Sequence, residues 1–211
     1  MGQTSGAAAK GQSCRTILLA SASPRRAELL AKAGFEFDVA PAVIDETPRP
    51  GERPTDYVLR VAAEKAMAAA TSRPLDHRPV LAADTAVVVH GELLGKPVDA
   101  QDAHRMLQLL SDAVHEVHTG VVLLLSSVRA PDGSISRIDE VATTRVRFAA
   151  MTPQEIAWYV ATGEPDGKAG AYAIQGRASR FIEWIDGSWS NVVGLPVATV
   201  YRMLRRADMV S

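Results

Sequence analysis

The 211-residue sequence contains one cysteine, Cys14, and aromatic residues make up only 5% of it. A single cysteine excludes an intramolecular disulfide and a zinc site built from several cysteines, and it fits a reducing cytoplasm. No run of about 18 apolar residues and no secretory signal is present, so we expect no membrane anchor. With 23 basic and 24 acidic residues, the net charge is −1, so no overall positive field would attract a nucleic acid polymer.

Several common catalytic motifs are also absent. The sequence has no G-x-x-x-x-G-K-[ST] phosphate loop, no G-x-G-x-x-G dinucleotide motif and no G-x-S-x-G turn for a serine nucleophile. The five histidines do not have metal-ligand spacing. His115 and His118, three residues apart in a predicted strand, would face opposite sides of it. P-loop hydrolases, Rossmann dehydrogenases and α/β-hydrolases are therefore excluded.

The hydrophobic pattern alternates between strand-length apolar runs and amphipathic helical segments, which predicts an α/β fold. Residues 1–15 are small and polar and predict a disordered tail, whereas residues 16–208 predict one domain without internal repeats. Strands are predicted at 16–20, 35–41, 79–90, 116–128, 136–148 and 181–187, with the turn "APDGS" joining the two longest. Helices are predicted at 24–33, 55–71, 99–110, 152–162 and 195–206. Asp99 is the predicted cap of the third helix, and Thr152 with Glu155 predicts a capping box on the fourth.

The stretch "SASPRR" places two arginines in the first turn of a predicted helix, with Ser23 as N-cap and Pro24 at the first position. Cations are unfavourable there by about half a kcal/mol each, whereas an anion is favoured by the free backbone N–H groups. Two interpretations follow. Arg25 and Arg26 form a phosphate site together with these N–H groups, or the two arginines point to solvent or pair with acids elsewhere.

A second anomaly is Asp84, the only acid in the otherwise apolar run "VLAADTAVVV". A desolvated carboxylate must be paired, bind a metal or take up a proton, although accepting hydrogen bonds from loop amides would also satisfy it. Lys65 likewise falls on the apolar stripe of its helix, either extending along the apolar surface to reach solvent or serving a site.

Further candidates lie in predicted loops. Asp45 and Glu46 in "VIDETP" would gain significance if the fold brought them near Asp84, because two carboxylates and water suit Mg²⁺ or Mn²⁺. Lys96 in "LLGKP" and Lys168 in "PDGKAG" are candidate anion contacts.

Taken in order, eight motifs resemble those of the Maf family of nucleoside triphosphate pyrophosphatases over nearly the whole chain except the tail. They are "SASPRR", "VIDE", "EKA", "AADT", "LLGKP", "HTGV", "DGKAGAYAIQG" and "NVVGLP". The resemblance implies an elongated α/β fold, in which helices flank a mixed, twisted β-sheet and two lobes enclose a cleft, similar to the inosine triphosphate pyrophosphatases. It also implies a homodimer, and the single cysteine favours a cytoplasmic location.

The resemblance implies hydrolysis between the α- and β-phosphates of a nucleoside triphosphate, with a divalent metal cation as cofactor. The implied catalytic residues are Asp84, Glu46, Lys65 and Lys96, with Asp84 and Glu46 as metal ligands. Whether Asp84 is the general base or holds the metal stays open at this point. Ser21, Arg25 and Arg26 are the implied phosphate-binding residues.

Within the family, the set Arg25, Thr85 and Gln175 resembles the type that acts on dTTP and UTP. Two alternatives remain to be distinguished. One is a non-catalytic nucleotide-binding regulator of septation, and the other is a house-cleaning pyrophosphatase for non-canonical purine nucleotides. A substrate panel with Mg²⁺ or Mn²⁺ would separate the three.

Overall fold

The computed structural model describes residues 16–74, 76–125 and 136–210. The predicted tail at residues 1–15 and the predicted "APDGS" turn lie outside the described residues. The α/β class is confirmed, with seven strands, six α-helices and two short 3₁₀ helices in the described part of the chain. In chain order the strands and α-helices are β1 (Ile17–Leu19), α1 (Pro24–Lys32), β2 (Phe37–Val39), α2 (Pro54–Thr71), β3 (Val80–Val89), β4 (Glu92–Leu94), α3 (Ala100–Leu110), β5 (Val114–Leu124), β6 (Arg137–Phe148), α4 (Pro153–Ala161), β7 (Ile182–Asp186), α5 (Trp189–Val193) and α6 (Val197–Arg206).

The strands form one mixed sheet in the order β2-β1-β3-β5-β6-β7, with β4 paired to β3. β1 is parallel to both β2 and β3, and the pairs from β3 onward to β7 are antiparallel. β3, the predicted central strand, pairs with β5 along nearly its whole length. Its other edge is shared between β1 and β4, and this division creates the site described below.

The two faces of the sheet are covered differently. Alternate β3 residues such as Leu81 and Ala83 face a large core to which α1, α3, α4 and α6 contribute. The intervening residues Val80 and Ala82 face the alanine-rich side of α2. Because side chains alternate between the faces of a strand, Asp84 lies on the α2 side and Thr85 on the opposite side.

The helix α2 lies unusually close to β5. A Cβ added at Gly120 would lie 2.5 Å from the backbone of Val58 in α2, so only glycine permits this approach. Gly120 is also the cross-strand neighbour of Asp84. Gly120, the glycine of "HTGV", thus allows α2, which carries Lys65, to pack directly over Asp84.

The predicted N-cap residues make capping hydrogen bonds at two helix starts and not at a third. Asp99 caps α3 by accepting from the Asp102 N–H, and Thr152 with Glu155 forms a capping box on α4. Ser23 occupies the N-cap of α1, but its side chain makes no capping bond. Within the described residues, no helix is both long and apolar enough to cross a membrane.

Candidate active site

The site lies where one edge of β3 has no strand beside it. β1 pairs with β3 at Val80 and Leu81, and β4 pairs with it only from Val87 to Val89. Residues 82–86 therefore face a gap between the two neighbouring strands. Such gaps at a change of strand order are common positions for ligand sites in open α/β sheets.

Below this gap, Lys65 joins two carboxylates. Its Nζ atom lies 2.7 Å from Oδ1 of Asp84 and 2.7 Å from Oε1 of Glu46. The Lys65 and Asp84 side chains are 9% and 8% exposed, whereas that of Glu46 is 38% exposed. Lys65 is therefore buried in an ion pair rather than directed to solvent, and the 43–46 loop reaches Asp84 through it.

Glu46 also contacts the second candidate lysine. Lys96 Nζ lies 3.3 Å from Glu46 Oε2, and the Tyr57 hydroxyl donates to the Glu46 carbonyl oxygen at 2.9 Å. Burial alone would raise the pKa of Glu46, but the hydrogen bonds and charges of Lys65 and Lys96 outweigh burial and lower this pKa. Burial, together with the charges of Asp84 and Glu46, raises the pKa of Tyr57 to about 12. Glu46 is thus held as a carboxylate facing the cluster.

Asp45, by contrast, does not enter the site. It is exposed, and its Oδ1 accepts the Thr47 N–H at 2.9 Å, closing a local turn. Of the two neighbouring acids in "VIDET", the structure therefore brings only Glu46 to Asp84.

On the opposite face of β3, Arg26 fixes the walls of the gap. Its Nε donates to the Gly194 carbonyl at 2.8 Å, and its Nη1 donates to the Ala83 carbonyl at 2.7 Å and to Ser21 Oγ at 3.2 Å. Its Nη2 donates to Thr85 Oγ1 at 3.2 Å. The Leu81 carbonyl accepts a hydrogen bond from the Ala20 N–H, just after β1. The next carbonyl on this edge of β3, that of Ala83, accepts from Arg26 instead of from a neighbouring strand.

The two adjacent arginines are therefore in different environments. Arg26 is buried, and desolvation lowers its pKa while the nearby charges of Asp84 and Glu46 raise it. Arg25 is half-buried, with its pKa lowered by desolvation, and it makes no hydrogen bond to the described part of the chain. Burial and then the charge of Arg25 lower the pKa of Lys168. The charge of Arg25 thus disfavours the charge of Lys168, and an anion bound near both would relieve this repulsion.

Thr85, one of the residues that the family resemblance singled out, belongs to a buried polar network. Its Oγ1 lies 2.9 Å from Oγ1 of Thr119 on β5 and 3.3 Å from the Gly194 carbonyl. Asn191 in α5 is fully buried and donates to the Val117 carbonyl and to Thr144 Oγ1, each at 3.0 Å. This network fixes the segment whose Gly194 carbonyl holds Arg26. "NVVGLP" was the only signal for it.

Gln175 lies on the surface, in the glycine-rich segment between α4 and β7. Its side chain is exposed and has no hydrogen-bond partner among the described residues. The same segment is attached to the site wall, because the Gly170 N–H donates to the carbonyl of Gly95, next to Lys96, at 3.0 Å.

The residues present can be compared with the needs of a divalent cation. The described residues contain no group of three or more His, Cys, Asp or Glu side chains that could hold a metal. However, Mg²⁺ is commonly held by one or two carboxylates together with substrate phosphates. Asp84 Oδ1 accepts a hydrogen bond from Lys65, while Oδ2 has no hydrogen-bond partner in the described part of the chain. Asp84 and Glu46 therefore suit a metal that arrives with a phosphate ligand.

Comparison with known proteins places this geometry in a family. The family model described as "Maf-like protein" matches residues 16–207. The chain belongs to the Maf family. A Maf relative from Anaeromyxobacter sp. (strain Fw109-5), named dTTP/UTP pyrophosphatase, is 54% identical over 191 residues, covering 90% of this chain and 89% of the relative.

Another relative with the same name, from Geobacter sulfurreducens, is 51% identical over 190 residues, covering 90% of this chain and 95% of the relative. Among solved structures, a HAM1 protein from Coxiella burnetii aligns at 19% identity with a TM-score of 0.45, covering 65% of this chain and 74% of the other. The family assignment depends on the Maf match and the sequence relatives.

Proposed function

We propose that this chain hydrolyses the bond between the α- and β-phosphates of dTTP and UTP, producing the nucleoside monophosphate and pyrophosphate. One observation carries the proposal: a buried acid, Asp84, is held by Lys65 in a gap of the sheet, and two further cations lie near it, Lys96 through Glu46 and Arg25 beside Arg26. An acid beside several cations suits attack on a polyanion. The name dTTP/UTP pyrophosphatase of relatives about half identical to this chain supports the same substrate class.

In this proposal Asp84 either takes the proton from the attacking water or holds the cation that activates this water. A positioned general base contributes about 10²–10⁴-fold to such a reaction. Lys65 orients the carboxylate through Oδ1, which leaves Oδ2 toward the reacting groups. Since the water attacks the α-phosphorus, the new bond is P–O and the leaving group is pyrophosphate.

The cations have divided roles. Arg25 and Lys168 bind the phosphate chain directly, because Arg25 makes no hydrogen bond to the described part of the chain and its charge reaches Lys168. Lys96 is 60% exposed and bonded to Glu46 only at 3.3 Å, so it is free to turn toward the leaving pyrophosphate. Ser21 lies at the start of α1 and contributes a hydroxyl at the same end. Arg26 holds the gap open by its four protein contacts, and one N–H on Nη2 remains for the substrate.

We propose that a divalent cation, Mg²⁺ or Mn²⁺, is held by Asp84 and Glu46 together with the substrate phosphates. When bound, the cation neutralises phosphate charge and polarises the phosphoryl oxygens. The chain's own contribution is to keep Glu46 ionised through Lys65 and Lys96.

Gln175 is proposed to bind the pyrimidine base. Its side-chain amide offers both a donor and an acceptor, which match the edge of uracil or thymine. Thr85 acts from the opposite side of the gap by fixing Arg26 and the Gly194 carbonyl. Substrate selection is therefore divided between a base contact and the shape of the gap.

The experiment is a panel of nucleoside triphosphates with Mg²⁺ or Mn²⁺, in which monophosphate and pyrophosphate are quantified separately. Preferential turnover of dTTP and UTP supports the proposal. Binding without turnover would indicate a non-catalytic regulator, such as one of septation, and preferential turnover of inosine or xanthosine triphosphate would indicate a purine house-cleaning enzyme.

We also propose that the chain acts as a homodimer in the cytoplasm, without a nucleic acid partner. This rests on the family resemblance, the single cysteine and the balanced net charge. Light scattering coupled to size-exclusion chromatography tests the dimer, since a mass of one chain would contradict it.

A further inference from the structure

The segment that carries Gln175 is a tight turn whose two ends are held by side chains. The Gly176 N–H donates to the Ala173 carbonyl at 3.0 Å, which defines a four-residue turn with Gln175 at its third position. Gln175 is exposed, so its own side chain does not fix its position. The position must instead come from the residues that hold the turn.

Tyr159 and Glu164 provide that support. The Tyr159 hydroxyl accepts the Ala173 N–H at 3.2 Å, at the start of the turn, and donates to Glu164 Oε1 at 2.8 Å. Glu164 Oε2 then accepts the Arg177 N–H at 3.0 Å, and Oε1 accepts the Ala178 N–H at 3.3 Å, both beyond the end of the turn. One phenol and one carboxylate thus bind both sides of the turn.

The chemistry of this pair suits a fixed support. Burial alone would raise the pKa of Glu164, but the hydrogen bonds from Arg177, Tyr159 and Ala178 outweigh burial and lower it, so the group is a carboxylate at neutral pH. A Cβ added at Gly176 would lie 2.4 Å from Glu164 Oε1. The carboxylate therefore occupies the space that any side chain at position 176 would need.

We infer that Glu164 is a positioning residue that sets the base selectivity of the site by holding the Gln175 turn at a fixed place. The inference rests on the proposed function, because it assigns Gln175 to the base. In this proposal Glu164 binds neither phosphate nor base, and it acts on the base contact through the turn that it holds. Lys168, in the same segment, attracts Glu164 electrostatically, so the support also links the base contact to a phosphate contact.

The test is Glu164→Gln. The amide has one acceptor oxygen, so it cannot accept the Arg177 and Ala178 N–H groups through two oxygens. A lost hydrogen bond of this kind changes a binding equilibrium by about tenfold. We expect KM for dTTP and UTP to rise about tenfold with a much smaller change in kcat. The preference for dTTP over dGTP in kcat/KM should fall by about the same factor.

Two further variants make the result specific. Tyr159→Phe removes the other half of the support and should reduce the same preference. Glu155→Gln is the matched control, since Glu155 also accepts a backbone N–H, at the opposite end of α4, and its substitution should leave the preference unchanged. A folded Glu164→Gln protein that loses activity equally on dTTP and dGTP, or keeps the wild-type preference, would overturn the inference.

The failure of the inference can be separated from the failure of the proposed function. Wild-type turnover of dTTP and UTP tests the proposed function by itself. Hydrogen exchange of the Arg177 and Ala178 amides needs no nucleotide, and both should exchange faster in Glu164→Gln. Unchanged exchange would contradict the support even if the enzyme is active on dTTP.

Discussion

Lys65 of α2 donates a 2.7 Å hydrogen bond to Asp84 of β3. Each residue disturbs an apolar pattern in the sequence, and the contact explains both disturbances, because each provides the counter-charge of the other. Glu46 joins the same nitrogen from the 43–46 loop. Two carboxylates thus share one lysine, which leaves the cluster with net negative charge below a rim of cations.

Lys65→Met should destabilise the fold. It leaves the buried Asp84 carboxylate without its counter-charge, and breaking a buried ion pair in this way costs about 3–5 kcal/mol. Because Glu46 is partly exposed, we expect the free energy of unfolding in urea to fall by about 3 kcal/mol, the lower end of this range. Lys32→Met, which breaks the exposed Lys32–Glu28 pair, is the control and should cost less than about 0.5 kcal/mol.

Adding Asp84→Asn to Lys65→Met should recover part of that stability, since the stranded charge is removed. If Lys65→Met and the wild type unfold at the same urea concentration, the ion pair does not contribute to stability as the structure implies.

Substitutions of Arg25 and of Arg26 should have different effects, one on substrate binding and the other on stability. Arg26→Lys cannot serve four acceptors with one amine, and it leaves the Ala83 and Gly194 carbonyls without their donor, so we expect a loss of about 2 kcal/mol. Arg25→Ala should change stability by less than about 0.5 kcal/mol and raise KM for dTTP. Thermal unfolding and steady-state kinetics measure both effects, and equal destabilisation by the two variants would contradict the assignment.

The connection between β2 and α2, which carries both Glu46 and Glu52, should show an acid-dependent attachment to α2. Arg60 donates to Glu52 Oε1 at 2.6 Å and to Oε2 at 2.8 Å, and its hydrogen bond lowers the pKa of Glu52 from 4.5 to about 2. A carboxylate with a lowered pKa stabilises the fold above its ordinary value and loses that contribution as pH falls toward the folded value.

Glu52→Gln should therefore lower Tm by a constant amount above pH 4.5, and the difference from wild type should shrink toward pH 2. A difference in Tm that is independent of pH across this window would exclude the ionised pair as its source.

Gln175→Glu should impair pyrimidine nucleotides selectively. A carboxylate keeps the size of the amide but has no donor for the base, so kcat/KM for dTTP and UTP should fall more than for dGTP. An equal loss on every substrate would indicate that Gln175 does not contact the base.

Most elements of the fold could be predicted because their signals are local. The period of apolar residues located the long strands β3, β5 and β6, and cap residues such as Asp99 and Thr152 located helix starts. The five-residue α5 was not predicted, since it is too short to show a helical period. Ser23 shows that a cap residue can mark the start of a helix without capping it. It occupies the predicted N-cap position of α1, but its side chain makes no capping hydrogen bond.

The site residues could be found in the sequence only where they break a pattern. Asp84 and Lys65 stand out in apolar surroundings, and the structure brings them together with Glu46. Arg25 and Arg26 have the same chemistry in the sequence, and only long-range acceptors such as Gly194 distinguish them. Glu164 carries no local signal, because an acid in a loop is usually solvated and its partners at 177 and 178 are backbone groups.

The role of Asp84 is tested most directly by the products of dTTP hydrolysis with Asp84→Asn. The wild-type chain should release dTMP and pyrophosphate in equal amounts. Asp84→Asn should lower kcat by about 10²–10⁴-fold while keeping the fold, since Asn can still accept from Lys65. Asp45→Asn, which alters an exposed acid outside the site, should retain wild-type activity. Near-normal turnover by Asp84→Asn, or release of dTDP and phosphate by the wild type, would contradict the account.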